Sequence, residues 1–489
     1  MACPLAPEPV YPRPDPHQSF LRRLLKGLHS WLGLITDVDF RIPIGSVQFL
    51  GLNLFLVNQP QAVKRLMVEE VERFPKHPYT LWVLEPLIGR AIFSVNGAEW
   101  ERQRRLVDQA FQVAQLRRVL PQMQGAVQAM VARLDGVIAA AADTSEAASA
   151  GVPLEIDKEM TMVTADVIVR TILSRPLQQA EAAGVFEAFA RYQRRAGKAL
   201  ILRLMRLPER HLQAYLGRHA SVIRLWIDGA IAERLADAEA AVSAEAAPQD
   251  LLQALLEARD PQSGTGFDRR ELLDQVCTLF LAGHETSASA LGMATYLLSC
   301  YPEVQQRLRA EVQQLLSARG GDAGGLGFDD LRQLPYAAAV FNETLRLYPP
   351  LSFFIREATR DSQLVDRRCP MGALVTISPW VVQRQEGQWP QPHGFRPERF
   401  LAEACTAEER QLARDVWIPF GLGPRKCPGA AFALQEALLV LAELVRRYEL
   451  LPQPDQTPDL VARLTLRSRN GIQVRLRLLP GAPGGSMAA

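Results

Sequence analysis

Cys427 is the residue with the clearest chemical potential, because it stands at the end of a glycine-rich loop just before a predicted helix. Residues 420–429 read Phe-Gly-Leu-Gly-Pro-Arg-Lys-Cys-Pro-Gly. A helix N-terminus offers free N–H groups and positive partial charge, and both favour a cysteine thiolate over the thiol. The alternative is a buried structural cysteine, which is the usual interpretation of a lone cysteine. The residues around it decide between the two.

Five residues of this loop match a single pattern, F-x-x-G-x-R-x-C-x-G. They are Phe420, Gly423, Arg425, Cys427 and Gly429. A chance match is expected roughly once in several thousand chains of this length. The loop resembles the haem-binding loop of the cytochrome P450 superfamily. The resemblance implies that Cys427 is the axial ligand of the iron in haem b, where a thiolate promotes cleavage of the O–O bond of dioxygen.

The other residues of the loop also suit a bound haem. Gly421, Gly423 and Gly429 have no Cβ, so the backbone can lie against a flat macrocycle. Phe420 can shield the sulfur from water, and the guanidinium of Arg425 can pair with a haem propionate. Backbone N–H groups directed at the sulfur would moderate its donation of electron density to the iron.

A second motif lies upstream, where Glu343 and Arg346 are followed by Leu-Tyr-Pro-Pro. Their spacing puts both side chains on one helix face, so they can pair. The segment 397–400 reads Pro-Glu-Arg-Phe, as in the family. The resemblance implies that Arg399 joins Glu343 and Arg346 in a triad that supports the fold and takes no part in catalysis.

A third motif predicts further contacts with the haem propionates. Trp100 and Arg104 form a W-x-x-x-R pattern, whose spacing gives one helix face. The resemblance implies that both contact the haem, and that Arg356, at the start of a strand, is a further propionate ligand. The neighbouring Arg102 and Arg105 are predicted to be exposed to solvent.

The segment Leu-Ala-Gly-His-Glu-Thr-Ser resembles the family's oxygen-activating helix. Ala282 and Gly283 are small, so a ligand could approach the backbone there. Thr286 can bond to a carbonyl one turn back and open the helix locally, and Glu285 can relay protons from solvent. The resemblance assigns catalysis to Gly283, Glu285 and Thr286, and contact with the haem to Ala282. His284 is interpreted as a packing residue and not as a metal ligand.

The resemblance also implies an apolar substrate pocket, whose walls come from the loop before Trp100, the oxygen-activating helix, the strand after Pro350 and the last hairpin. The candidate lining residues are Leu81, Trp82, Leu84, Leu87, Ile88, Phe93, Phe280, Ala282, Leu351, Phe353, Phe354, Leu464 and Thr465. Each of them singly is better explained as ordinary core. Residues 191–210 are rich in cations. They are interpreted as a solvated helix face, with attraction of an acidic substrate or a membrane surface as the alternative.

The whole chain fits one large catalytic unit. It has 489 residues, of which 48% are hydrophobic, and a formal net charge of +2, so no bulk charge points to nucleic acid. Helical periodicity dominates residues 60–240, between loops near 143–153 and 238–248, and a long apolar helix is predicted over about 271–300, ending before Pro302. Short strands are predicted at 40–58, 351–382 and 461–477, and residues 384–426 are predicted to be mostly coil. The predicted fold is mainly α with a minor β lobe, the cytochrome P450 fold. The predicted divisions are a proline-rich leader and first helix at 1–39, the haem-thiolate domain at 40–480 and a tail at 481–489.

Cysteine usage and hydropathy predict the compartment. None of the six cysteines forms a C-x-x-C pair, which fits a reducing cytoplasm and disfavours a disulfide framework or a zinc site. No uncharged apolar stretch approaches the roughly 20 residues of a transmembrane anchor. Residues 20–36 could form a basic helix on a membrane surface, but a packed N-terminal helix is favoured.

The predicted activity is insertion of one oxygen atom from O2 into a small apolar substrate. No flavin or iron–sulfur domain is visible, so a separate donor is expected, either a ferredoxin with its reductase or a flavoprotein reductase. A basic docking face for it is predicted from Arg102, Arg105, Arg117, Arg118 and Lys426. The alternatives are a haem-thiolate peroxygenase or peroxide-rearranging enzyme, a non-catalytic haem sensor, and a helical binding protein without haem.

Overall fold

The computed structural model describes residues 19–27, 29–49, 51–141, 150–205, 207–240, 248–320 and 325–481. Over these residues the chain is mainly helical with a minor strand component, as predicted. Its α-helices are α1 (Phe20–Gly27), α2 (Pro60–Lys64), α3 (Pro78–Ile88), α4 (Gly97–Ala110), α5 (Val113–Arg118), α6 (Leu120–Ala141), α7 (Ile156–Leu173), α8 (Gln179–Leu204), α9 (Glu209–Ala240), α10 (Leu251–Glu257), α11 (Arg269–Cys300), α12 (Pro302–Ala318), α13 (Pro335–Leu347), α14 (Pro379–Val382), α15 (Ala407–Val416) and α16 (Ala430–Arg447).

The strands are short and form small sheets. They are β1 (Ile44–Phe49), β2 (Leu52–Val57), β3 (Val152–Glu155), β4 (Phe354–Glu357), β5 (Ser362–Leu364), β6 (Arg367–Cys369), β7 (Leu374–Ile377), β8 (Tyr448–Pro452), β9 (Leu460–Ala462), β10 (Leu466–Ser468) and β11 (Gln473–Leu478). One sheet has the order β1-β2-β7-β4 and another the order β3-β11-β8, while β5 pairs with β6 and β9 with β10. The predicted strand regions therefore all contain strands.

Helix α11 lies at the centre of the helical layer. It begins at a capping box, in which the Asp268 carboxylate accepts from the N–H of Glu271 at 2.7 Å and the Glu271 carboxylate accepts from the N–H of Asp268 at 3.0 Å. It ends before Pro302, as predicted, because the residue before a proline disfavours helix. Most of its residues are buried, and it packs against α7, α9, α13 and α16.

Two elements differ from the sequence-based expectation. Residues 60–240 were predicted to be helical between loops, but β3 lies within them and pairs antiparallel with β11 near the C-terminus. Local periodicity carries no signal for a partner so distant in the chain. Residues 384–426 were predicted to be mostly coil, yet α15 forms behind a capping box between Thr406 and Glu409.

Parts of the predicted divisions lie outside the described residues. These are 1–18 of the leader, 482–489 of the tail, and most of two predicted loops, at 142–149 and 241–247. The rest of the leader forms α1 and two short 3-10 turns. Among the described helices, none is long and apolar enough to cross a membrane.

A buried ion network fixes the segment 397–400 beneath α13. Glu343 accepts hydrogen bonds from Arg346 at 2.7 and 2.8 Å and from Arg399 at 3.1 Å. All three side chains are almost fully buried, and Arg346 also donates to the carbonyls of Gln383 and Pro392. Buried charges of this kind require pairing, and the predicted contact of these three residues is confirmed.

Candidate functional site

The loop before α16 owes its shape to close backbone packing. The N–H of Cys427 donates to the carbonyl of Phe420 at 2.8 Å, which closes the loop. Gly421 and Gly423 have φ angles of 74° and 68°, a region that favours glycine. A Cβ on Gly423 would lie 2.3 Å from the carbonyl oxygen of Met67. From the sequence, these glycines were explained by close approach of the backbone to a flat macrocycle. At Gly423 the structure shows a different reason, which is close packing against the backbone of Met67.

The Cys427 sulfur lies beside the first turn of α16. The N–H of Gly429 bonds to the sulfur and lowers the pKa of the thiol, as do the charges of Arg104 and Lys426. The Cys427 side chain is exposed, but many protein atoms surround its sulfur, and the resulting loss of hydration raises the pKa of the thiol above its ordinary value on balance. The predicted effect of the helix end is therefore present, but the effect of burial outweighs it. A bound metal ion would supply the missing stabilisation.

Arg104 binds the cysteine loop itself. Its guanidinium donates to the carbonyls of Pro424 at 3.2 Å and Lys426 at 2.5 Å, and its Nε donates to the carboxylate of Asp108 at 2.8 Å. The spacing of Trp100 and Arg104 predicted that α4 faces the cofactor. Contact between α4 and the loop carbonyls is an additional role that the motif does not reveal.

Three cations gather next to this loop without a carboxylate partner among the described residues. They are Lys76, Arg356 and Arg425. Arg425 donates to the carbonyls of Val71 and Phe74, and Lys76 donates to the carbonyls of Ile92 at 2.6 Å and Val95 at 2.8 Å. The Nε atoms of Arg356 and Arg425 are buried and have no hydrogen-bond partner in the described part of the chain.

Burial and mutual repulsion act together on these cations. Burial lowers the pKa of Lys76, and the charges of Arg425 and Arg356 lower it further. Burial and the charge of Arg425 lower the pKa of Arg356 to about 10. Such a cluster suits an anionic group that accepts from several donors at once. Arg356 and Arg425 were predicted to bind propionates, whereas Lys76 belongs to no motif and was missed.

Aromatic rings border the same region. The ring of Trp100 lies 5.6 Å from the Arg425 guanidinium, and the ring of Phe420 packs edge-on against Trp417 at 5.9 Å. The donor set thus combines a cysteine sulfur, cations without described carboxylate partners and aromatic rings. Haem fits this set, since its iron accepts a thiolate and its propionates accept from guanidinium and ammonium groups.

The solvent-accessible side of α11 carries Ala282 and Thr286, four residues apart. The Thr286 hydroxyl donates to the Ala282 carbonyl at 2.6 Å, as predicted. The α-helix is nevertheless continuous from Arg269 to Cys300, so no local break accompanies this bond. On the α7 side, the Thr164 hydroxyl donates to the His284 carbonyl at 2.9 Å. That bond anchors α11 to α7 and could not be found from sequence spacing.

Gly283 allows two helices to approach each other. A Cβ on Gly283 would lie 2.5 Å from the Cδ1 atom of Ile168 in α7. The small residue was predicted to admit a ligand, but its described contact is with Ile168. The close crossing of α11 and α7 offsets the intrinsic cost of glycine within a helix, which is about 1 kcal/mol relative to alanine.

Glu285 is held in a buried ion pair. Its carboxylate accepts from Arg467 at 2.7 and 2.5 Å, from Thr465 at 2.8 Å and from Gln193 at 2.5 Å. Although burial opposes ionisation, the charge and hydrogen bonds of Arg467 lower the pKa of Glu285 to about 2. The partners come from α8 and the hairpin β9–β10, so a motif on α11 gives no sign of them.

His284 packs among aromatic rings. Its ring lies 4.8 Å from Phe280 and 5.2 Å from Phe189, and its Nδ1 contacts the Phe280 carbonyl at 2.7 Å. Burial lowers its pKa, so the imidazole is neutral at pH 7. The described residues include no group of three or more His, Cys, Asp or Glu that could hold a metal ion.

The candidate pocket residues differ in their burial and in their contacts. The segment before Trp100 was predicted to be a loop, but it contains helix α3, whose Trp82, Leu87 and Ile88 are buried in the main core. Leu351, Phe353, Phe354 and Leu464 are only partly buried. Thr465 bonds to Glu285 and is therefore a polar contact of α11.

The predicted basic docking face is smaller than expected. Arg102 pairs with Glu271 at 2.7 Å, and Arg105 pairs with Asp260 at 2.6 Å. Both are partly buried, so the prediction that they are solvent-exposed is wrong. Arg117 is exposed but pairs with Asp329 at 2.8 Å. The exposed cations Arg118 and Lys426 retain no described ion pair.

Known proteins resemble the chain over most of its length. A family model described as cytochrome P450 matches residues 40–475. Cyclooctatin synthase of Streptomyces melanosporofaciens is 32% identical over 376 residues, which cover 76% of this chain and 75% of that protein. Cyclooctat-9-en-7-ol 5-monooxygenase of the same organism is 37% identical over 208 residues, 42% of this chain and 43% of that protein.

A solved structure supports the same fold. The crystal structure of the cytochrome P450 CYP102L1 superposes with a TM-score of 0.77 at 23% identity, covering 97% of this chain and 100% of that chain. At this identity the likeness concerns the fold, whereas the family match concerns the sequence. The chain belongs to the cytochrome P450 family, and it is therefore a haem-binding oxidoreductase with monooxygenase activity.

Proposed function

We propose that this enzyme inserts one oxygen atom from O2 into an apolar organic substrate, by hydroxylation or epoxidation, with Cys427 as the axial ligand of haem b. The observation that carries the proposal is the cluster of Lys76, Arg356 and Arg425 beside the Cys427 loop. These cations have no carboxylate partner in the described part of the chain. When bound through a thiolate, haem supplies the activation of dioxygen.

The proximal residues hold and tune the ligand. The N–H of Gly429 donates to the Cys427 sulfur and so moderates its electron donation. Arg104 fixes the loop through the carbonyls of Pro424 and Lys426. In this proposal Arg356, Arg425 and Lys76 bind the propionates, with the Trp100 and Phe420 rings as apolar walls. Gly421 provides the turn, through its positive φ.

The distal residues handle protons and position α11. The Thr286 hydroxyl, held by the Ala282 carbonyl, is a proton-bearing group on the solvent-accessible side of α11. Gly283 sets the distance between α11 and α7. Glu285 is ionised at neutral pH and bound to Arg467, so it serves a proton relay only when that ion pair opens.

A P450 monooxygenase needs dioxygen and an electron donor. We propose a separate donor, a ferredoxin with its reductase or a flavoprotein reductase, that docks near the exposed Arg118 and Lys426. A cytoplasmic location is proposed from cysteine chemistry, because the five cysteines in the described ranges are all free thiols.

The test is the carbon-monoxide difference spectrum of the reduced, purified protein. A strongly red-shifted Soret band is expected, since thiolate ligation produces it. Cys427→Ala should abolish that band, whereas Cys300→Ala, which removes a half-buried thiol elsewhere, should leave it unchanged. Retention of the same haem spectrum in Cys427→Ala would show that another residue is the ligand.

Thr286→Ala tests the proton-handling role. The variant should keep the thiolate-type spectrum but form less product for each electron consumed, because it lacks the Thr286 hydroxyl that donates to the Ala282 carbonyl. Thr278→Ala is the matched control, since Thr278 lies on the same helix and donates to the Asp274 carbonyl at 2.8 Å. Equal loss of coupling in both variants would argue against a specific role for Thr286.

A further inference from the structure

A cationic cavity lies between helices α1, α8 and α9 and the hairpin β9–β10. Its volume is about 450 Å³. Five cations line it, Arg191, Arg194, Arg195, Lys198 and Arg463, and the imidazole of His219 lies beside them. No Asp or Glu is among the residues that line it. Four of the cations predicted to form a solvated helix face, Arg191, Arg194, Arg195 and Lys198, therefore line one partly open cavity.

Most of these cations have no acidic partner in the ranges that the structure describes. Arg194 and Lys198 are exposed to the cavity and make no described hydrogen bond or ion pair. Arg195 donates to the carbonyl of Tyr215 at 2.9 Å, and Arg463 donates to the carbonyl of His29 at 3.4 Å. The exception is Arg191, which pairs with Glu187 on its own helix.

The cations repel one another across the cavity. After burial, the charges of Arg195 and Arg191 are the largest influences that lower the pKa of His219. Burial and the charge of Arg194 lower the pKa of Arg463. A bound anion would relieve this repulsion, and concave walls concentrate the positive potential at the place where it would bind.

The cavity leads toward the oxygen-activating helix. A neighbouring cavity of about 300 Å³ shares Arg194 and Arg463 with it and is also lined by Gln193 and Thr465. Gln193 and Thr465 both donate to Glu285 on α11. The cationic walls thus connect, through Gln193 and Thr465, with the helix that bears Thr286 and Glu285.

An aromatic contact gives a second connection. Trp31 lines the cationic cavity, and its ring lies 5.5 Å from that of Phe353, which follows α13 and is only partly buried. An apolar body attached to an anion in the cavity would therefore meet aromatic surface directly.

We propose that this cavity binds the carboxylate or phosphate group of an amphiphilic small molecule, through Arg194, Lys198 and Arg463. The inference rests on the proposed function in one respect only, that the apolar part of the same molecule extends toward the site of oxidation. The anionic group would then fix which end of the substrate reaches that site. Carboxylate and phosphate share the chemistry that guanidinium and ammonium groups recognise.

Calorimetric titration of the haem-loaded enzyme tests the proposal with three probes of equal chain length, decanoate, decyl phosphate and decan-1-ol. We expect one or both anions to bind about tenfold more tightly than the alcohol, as charge-assisted hydrogen bonds would give. Equal affinity for all three probes would overturn the proposal. Tighter binding of only one anion identifies the headgroup.

Arg194→Gln/Lys198→Gln is the informative variant, because both side chains are exposed and make no described contact that folding requires. The anion preference should fall about tenfold, while the affinity for decan-1-ol stays unchanged. Arg332→Gln, which removes an exposed cation on a different element, is the control and should change neither affinity. An unchanged anion preference in the double variant would overturn the proposal.

Two further measurements separate other outcomes. Binding of phosphatidylglycerol vesicles is compared between the double variant and the unchanged enzyme. If the double variant loses affinity for the vesicles but not for decanoate or decyl phosphate, the cations form a membrane-facing surface and the small-molecule proposal fails. The carbon-monoxide spectrum is recorded in parallel. If the spectrum is normal but the enzyme does not prefer the anions, only the proposed anion binding in the cavity is contradicted. If the thiolate band is absent, the proposed function is contradicted.

Discussion

Two buried glutamates lie on either side of the Thr286 segment and have opposite protonation. Glu285, on α11, is 3% exposed, and Glu436, on α16, is 1% exposed. The pKa of Glu285 is lowered to about 2, whereas burial raises the pKa of Glu436 to about 8. At pH 7 one side chain is therefore an anion and the other a neutral acid.

The partners of the two carboxyls explain the difference, because burial is the same. Glu285 accepts from Arg467, Thr465 and Gln193. Glu436 bonds to Ser287, and its Oε2 atom has no hydrogen-bond partner among the described residues. Desolvation alone favours the protonated acid, and only a nearby cation with several donors reverses it.

The comparison teaches that burial of a carboxyl near a reactive site does not fix its charge. A charged Glu285 stabilises the contact of α11 with the hairpin β9–β10. A protonated Glu436 holds a hydrogen within the interface between α11 and α16. Pairs of carboxyls whose surroundings separate their pKa values are typical of sites that both donate and accept protons.

The largest expected effect comes from removal of the cation. Arg467→Met should lower the free energy of unfolding by about 3–5 kcal/mol, because it leaves the Glu285 charge buried without its ion-pair partner. Denaturant unfolding at pH 7 measures this change. The side chain of Arg467 is 20% exposed, so the ion pair is largely protected from solvent.

The pH dependence of this variant sharpens the comparison. In the native protein Glu285 has a lower pKa than in the unfolded chain, so its contribution to stability is present above the unfolded value and lost as the pH falls toward 2. The deficit of Arg467→Met should therefore shrink at acidic pH. Glu285→Met/Arg467→Met, which removes both charges, should recover much of the stability. A deficit independent of pH would show that lost packing, and not charge, is responsible.

Glu436 should show the opposite pH dependence. Its folded pKa lies above its unfolded value, so the unfolded chain loses its proton first and stability falls as the pH rises from about 4.5 to about 8. Between pH 5 and 7 this amounts to at most about 3 kcal/mol, at about 1.4 kcal/mol for each pH unit. In Glu436→Gln that fall should be absent.

The measurement is the difference in unfolding free energy between Glu436→Gln and the unchanged protein at several pH values. Taking the difference removes the titration of all other groups. Glu443→Gln, on the same helix but paired with Arg446 near its end, is the control. A difference that does not grow in favour of the glutamine variant as the pH rises would mean that Glu436 is ionised in the folded protein.

The sequence predicted the elements that local pattern determines. The mainly helical class, the long helix α11, the short strands at 40–58 and the pairing of Glu343, Arg346 and Arg399 are confirmed. The helices, the strands and the Glu343–Arg346 pair depend on spacing within a short segment, whereas the place of Arg399 was implied by the family resemblance. The roles assigned to Cys427, Trp100, Arg356, Arg425 and Thr286 remain predictions, which the spectra and variants described above address.

What the sequence could not predict depends on partners far apart in the chain. Arg467 lies about 180 residues from Glu285, and no motif joins them. Lys76 meets Arg356 only because their segments form an antiparallel bridge. Gly283 looked like a ligand-facing residue until the position of Ile168 was known. Contacts of this kind arise from packing between elements, for which periodicity carries no information.

The smallest expected effect concerns Ser287, the one polar side chain that bonds to Glu436 in the described part of the chain. Ser287→Ala should lower the free energy of unfolding by about 1 kcal/mol, the usual net value of one hydrogen bond. The hydroxyl lowers the pKa of Glu436, so its loss should raise that pKa further and extend the fall in stability to higher pH. Ser289→Ala is the matched control, because Ser289 lies on the same helix and donates to the Leu466 carbonyl at 2.6 Å. Ser289→Ala should lose a similar amount of unfolding free energy at every pH. An identical pH profile for the Ser287→Ala and Ser289→Ala variants would mean that Ser287 does not influence the charge of Glu436.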